Sequence, residues 1–98
     1  MQKNIFNIIQ VAFQKKLDTN SMNYARLVIH IQFFLQRLFD DRMLEDQGVG
    51  VYEHIKEKLP KEISCARQIK RYVENTMQKT ISEEEIGYLA LHISRVIS

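Results

Sequence analysis

Helix-breaking residues are almost missing from this chain. In 98 residues there are three glycines, Gly48, Gly50 and Gly87, and one proline, Pro60. With so few obligatory turns, long helices are favoured over many short strands. Apolar residues recur at three- and four-residue steps, and no alternating apolar/polar run is long enough for a strand. The expected fold is therefore all-α, a compact bundle of about five helices with short connections, forming a single domain over residues 1–98.

The steps place the helices. Ile5, Phe6, Ile9, Ala12 and Phe13 mark the first, which Asp18-Thr19-Asn20-Ser21 is expected to end while supplying capping oxygens for the next. The second should run from Asn23 to Phe39, with Leu27, Ile31, Phe34, Leu35 and Leu38 on one stripe. Asp40 to Gly50 is polar and reads as the longest loop. Val51 to Leu59 suits a short third helix. Pro60 fits the first turn of a fourth, which should reach Met77 with Ile63, Ala66, Ile69, Val73 and Met77 facing the core. The last helix starts at a capping box, Ser82 with Glu85, and a hydrophobic staple, Ile81 with Ile86.

Charge and composition exclude several functions. The net charge is +2, with basic and acidic residues interleaved, which does not suit a nucleic-acid groove or a polybasic membrane patch. No clustered Arg/Lys recognition helix is visible for duplex DNA. No apolar run approaches the ~20 residues of a membrane span, and the N-terminus lacks the marks of a signal peptide. A cytoplasmic protein is expected. Cys65 is the one cysteine and reads as a structural thiol. Without a Cys-x-x-Cys, a His-Glu-x-x-His or a Gly-rich phosphate loop, no metal, cofactor or enzymatic activity is expected. Asp40, Asp41, Glu45 and Asp46 read as a solvated charge run.

Two histidines stand apart from this ordinary background. His30 lies in Tyr24-Ala25-Arg26-Leu27-Val28-Ile29-His30-Ile31-Gln32-Phe33-Phe34-Leu35-Gln36-Arg37-Leu38-Phe39, and His92 in Glu84-Glu85-Ile86-Gly87-Tyr88-Leu89-Ala90-Leu91-His92-Ile93-Ser94-Arg95-Val96. An imidazole beside packed aliphatic groups needs a partner or a job. At about 100° per residue both rings fall on the margin of their helix's core stripe. Arg37 is nearly in line with His30, two turns on, and Tyr88 and Glu85 precede His92 by one and two turns. A margin histidine can be packed and still present a nitrogen to a visitor. The bland reading, two packed rings in a helical interaction module, stands beside the functional one. His54, among charged neighbours, reads as solvated surface.

These two runs resemble the PTS regulation domain of BglG/SacY-type transcriptional antiterminators and related bacterial regulators. The resemblance rests on His30 with Arg37 seven residues after it, and on Glu85-Ile86-Gly87-Tyr88-Leu89-Ala90-Leu91-His92-Ile93. It covers nearly the whole chain. It implies a helical bundle that pairs into a homodimer. It also implies phosphorylation on histidine by the sugar phosphotransferase system, with phospho-HPr or a sugar-specific IIB protein as donor. His30 and His92 fall on the family's phosphoacceptor positions, and Arg37 on the arginine that supports the first. Antiterminators carry two copies of this domain. Ile29, where first copies often have an acid, and the Phe33–Leu38 stretch look more like a second copy. The chain is then expected to be part of a longer regulator, whose RNA contacts belong to a separate domain. A phosphoryl group carries roughly two negative charges near neutral pH. Arg37 or Arg95 could gain charge-assisted hydrogen bonds from it, and Glu85 would be repelled.

Overall fold

The computed structural model describes residues 1–43 and 50–97. It contains five helices: α1 (Gln2–Phe13), α2 (Met22–Phe39), α3 (Val51–Ile55), α4 (Pro60–Met77) and α5 (Glu83–Ile97). No strand occurs among the described residues. The fold is the expected all-α bundle. Most of the Asp40–Gly50 stretch, with Glu45 and Asp46, lies outside the described residues.

The apolar stripes close on one core. Ile5 and Ile9 come from α1, Leu27, Ile31, Phe34 and Leu38 from α2, and Ile63, Ala66, Ile69 and Val73 from α4. Leu35 and Met77 are only half-buried, and Ala12 is exposed. Helix α5 is the centre of the molecule. It packs against α2, α3 and α4, while α1 lies on α4. Its buried residues include Ile86, Gly87, Leu89, Ala90, Ile93 and Val96, so it is apolar around much of its circumference.

Two helices are shorter than their periodicity suggests. Helix α1 stops at Phe13, well before Asp18, because Gln14 adopts a left-handed conformation with φ 50°. Lys15 N–H then closes on the Gln10 carbonyl at 3.1 Å, and Leu17 N–H on the Gln10 side-chain oxygen at 3.0 Å. The turn buries Leu17, which a continued helix would carry away. Ser21 does cap α2, its hydroxyl accepting from Tyr24 N–H at 3.0 Å. Helix α3 ends at Ile55 rather than Leu59. The Lys58 and Leu59 N–H groups both turn back onto the Ile55 carbonyl, leading into Pro60 at the start of α4.

Helix α3 is seated on α5 by two features. Its N-cap is Gly50, which has no side chain to offer. The buried carboxylate of Glu84 replaces one, accepting from the N–H groups of Val51 and Tyr52. One turn along α5, Gly87 makes room for the α3 backbone. A Cβ there would lie 2.7 Å from Tyr52 N and 2.9 Å from Tyr52 Cα. The start of α5 is as expected in part: Glu85 N–H donates to Ser82 Oγ at 3.3 Å.

Candidate functional site

The seam between α2 and α5 carries the polar groups that the core stripes exclude. Three ties run along it in opposite sequence order. Asn23 donates to the Arg95 carbonyl at 3.1 Å, His30 stacks on His92, and Arg37 pairs with Glu85. The two helices are therefore antiparallel along this seam. Arg37 lies seven residues after His30 and Glu85 seven before His92, so antiparallel packing that brings the rings together also joins the ion pair.

The imidazoles of His30 and His92 lie face to face, with centroids 4.1 Å apart and planes 24° from parallel. The Tyr88 ring is 6.4 Å from His30. Two protonated rings at this spacing would repel each other, and burial disfavours the charge on either. Desolvation, then the neighbouring His92 and Arg37, push His30 down to about 3. Desolvation and Arg95 lower His92 as well. Both rings are neutral at pH 7, so each carries a nitrogen lone pair. The His30 Nε2 is buried and has no hydrogen-bond partner among the described residues. Such a nitrogen is uncommon in a folded core.

The Arg37–Glu85 pair is saturated by contrast. Arg37 Nε meets Glu85 Oε2 at 2.6 Å and a terminal nitrogen meets Oε1 at 2.7 Å, a bidentate fork. The Glu85 side chain is fully buried and that of Arg37 is about a quarter exposed. The arginine is thus near His30, as its position suggested, but it is already held by a carboxylate. Sequence reasoning placed both residues near the histidines without joining them. It gave Glu84 and Gly87 no role in seating α3. The equal seven-residue offsets were the signal for the ion pair. Nothing in the sequence pointed from Glu84 to α3.

The other sequence candidates fall away from this seam. His54 is exposed at the end of α3. Cys65 is buried on α4, and desolvation pushes its thiol up to about 12, far from nucleophilic use at neutral pH. Asp40 and Asp41 are exposed beyond α2, where Asp41 pairs with Lys79 at 2.8 Å. Among the described residues no three His, Cys, Asp or Glu side chains gather as metal ligands, and no helix is long and apolar enough to cross a membrane.

Comparison with known proteins decides the family. The family model of the PRD domain matches residues 3–96. This chain belongs to the PRD domain family. It is 31% identical over 97 residues to transcription antiterminator LicT of Bacillus subtilis, a match covering 99% of this chain and 35% of that protein. It is 32% identical over 100 residues to the beta-glucoside operon antiterminator of Dickeya chrysanthemi, covering 100% of this chain and 35% of that one. Protein GlcT of Staphylococcus epidermidis is 32% identical over 87 residues, covering 89% and 30%. This PRD domain spans about a third of the length of the curated relatives it matches.

Proposed function

We propose that this PRD domain is a histidine-phosphorylated switch within a longer transcriptional antiterminator. The observation that carries the reading is the stacked His30–His92 pair, neutral and with a buried nitrogen left unpartnered. A neutral imidazole nitrogen is the form that can attack phosphorus. In transfer from phospho-HPr, a ring nitrogen of the pair, once open to the donor, forms an N–P bond as the N–P bond of the donor phosphohistidine breaks. From a IIB protein, the bond broken is the one between phosphorus and that protein's own phosphorylated side chain. The donor atom keeps the electron pair, the acceptor ring sheds the proton of its other nitrogen, and the donor side chain takes a proton up. The donor is phospho-HPr or a sugar-specific IIB protein. The domain itself is an acceptor, not a catalyst, and RNA contacts belong to another part of the parent protein.

The response follows from charge. About two negative charges arrive on a seam that holds Arg37, Arg95 and the buried Glu85. Arg37 is the residue we assign to support the phosphoryl group, in competition with its carboxylate partner. The outer face of α2 offers a way to pass the change on. Met22, Ile29 and Phe33 are each more than half exposed and lie within a sector of about 40° at 100° per residue. That stripe borders the side of α2 carrying His30 and Arg37. An apolar stripe of this kind fits pairing with a second copy, whose geometry the new charge would bias.

Intact-mass analysis after incubation with phosphoenolpyruvate, Enzyme I and HPr tests the reading, with a IIB protein added in a second arm. A phosphoryl increment on the wild type that His30→Ala/His92→Ala loses supports it. No increment with either donor sinks it and leaves a helical interaction module with two packed rings.

A further inference from the structure

The spacing of the two rings bears on how many phosphoryl groups the site can hold. With centroids 4.1 Å apart and planes nearly parallel, phosphoryl groups on both rings would sit within a Debye length of each other, whichever nitrogens carry them. Each would carry roughly two negative charges, so their repulsion is about fourfold that of two unit charges at the same distance. It is the situation of two carboxylates sharing one site, where the second cannot ionise under the conditions that suit the first.

The charges around the pair match one group and not two. The cations whose fields reach the rings are Arg37 at His30 and Arg95 at His92. Arg37 is clamped by the fully buried Glu85. Two guanidinium groups supply at most two positive charges, and the Glu85 carboxylate takes up one of them. What is left offsets no more than part of one phosphoryl group. Desolvation on the seam makes the shortfall worse.

Direct handover between the rings is also disfavoured. Displacement at phosphorus needs the attacking and leaving atoms in line. Stacked rings set their nitrogens side by side, so a group on one ring is not presented for attack by the other. A group that arrives on one ring is therefore not passed to the other.

We propose that the stacked pair works as one acceptor: each protomer carries a single phosphoryl group, on His30 or on His92, and the first excludes the second. This rests on the phosphoacceptor reading above. It makes the pair two alternative entry points to one charged state, not two switches that add. A group on either ring places its charge on the same seam, within the fields of the same two arginines.

The test is phosphorylation to a plateau with HPr, Enzyme I and excess phosphoenolpyruvate, and separately with a phosphorylated IIB protein. Intact masses are read at alkaline pH, where phosphohistidine survives. One increment is expected on the wild type, on His30→Ala and on His92→Ala, and none on the double variant. Site mapping of the wild type should then find both histidines modified in different molecules. Two increments on one wild-type chain would overturn the exclusion while leaving the acceptor reading intact. One increment on the wild type that just one of the two single substitutions abolishes would overturn it too, by making that ring the sole acceptor. The wild-type count needs no substitution, so a variant that fails to fold does not blunt it. No increment on the wild type with any donor would remove the acceptor reading itself.

Discussion

Two layers of the α2–α5 seam, two helical turns apart, treat their polar groups in opposite ways. In one, both Glu85 oxygens are met by the guanidinium of Arg37 at 2.6 and 2.7 Å. In the other, two rings lie face to face, burial keeps both neutral, and the Nε2 of His30 has no hydrogen-bond partner among the described residues. A saturated buried ion pair is understandable as architecture, because its geometry repays desolvation. An orphaned buried nitrogen carries a penalty of about 1–3 kcal/mol, which architecture does not need. The contrast marks the charged layer as one that holds the helices together, and it is why the proposed phosphoacceptor reading centres on the neutral one, since local rules tend to be broken where a site is used.

The largest effect should come from breaking the charged layer. Arg37→Met leaves a carboxylate buried with no counter-charge. The expected loss is about 3–5 kcal/mol in chemical denaturation. Arg37→Met/Glu85→Leu should recover most of it, because two apolar groups can fill the same volume. If the single substitution is nearly neutral, the division of labour drawn here is wrong. The double variant sharpens the functional side as well. Folded but lacking Arg37, it should take up phosphate from HPr more slowly than the wild type in a timed transfer assay. An unchanged rate would remove Arg37 from the phosphoryl site.

A smaller effect separates the seam from its neighbour. Gly87→Ala would push a methyl group into the α3 backbone at Tyr52. Overpacking of this kind costs about 1–3 kcal/mol. The damage should stay on the α3 side of α5. Hydrogen exchange should quicken at Tyr52 and the residues after it, with little change at Ile31 and Phe34 on α2. Faster exchange across α2 would show that the two sides of α5 are not independent.

These neighbours also show what the sequence can and cannot reveal. The five helices were legible because each stripe repeats at the helical step, and α4 matched from Pro60 to Met77. The ends were less so. Helix α1 ends at Phe13, where Gln14 turns left-handed and the side chain of Gln10 catches Leu17 N–H, a contact with no periodic signature. Both histidines could be singled out as polar residues on apolar margins. Their stacking could not, since it depends on α2 and α5 being adjacent and antiparallel. Glu84 and Glu85 make the limit plain. Side by side in the sequence, and alike in composition, they face different elements. One caps the backbone of α3 and the other holds Arg37. Only the packing of the helices distinguishes them.

The smallest expected effect is the most direct probe of the neutral layer. His30→Phe keeps a flat ring of similar size and removes the orphaned nitrogen. Replacing an unsatisfied polar group by an apolar one of like shape is close to neutral or stabilising, so stability at pH 7 should change by no more than about 1 kcal/mol. The pH dependence should change more clearly. In the folded protein His30 is held down to about 3, against 6.5 in the unfolded chain. Below 6.5 the unfolded state therefore takes up a proton that the folded state refuses, and stability falls with pH. It is fully present above that value and is lost progressively as pH falls towards the folded one. Thermal unfolding between about pH 7 and pH 5 stays above the ordinary carboxylate range. Over that span the wild-type midpoint should drop, and His30→Phe should flatten the drop. His92, lowered by its own desolvation, should account for part of the remainder in His92→Phe. A slope unchanged by His30→Phe would mean that the ring is protonated without penalty, and the nitrogen would then not be the buried, unpartnered group on which the proposed chemistry depends.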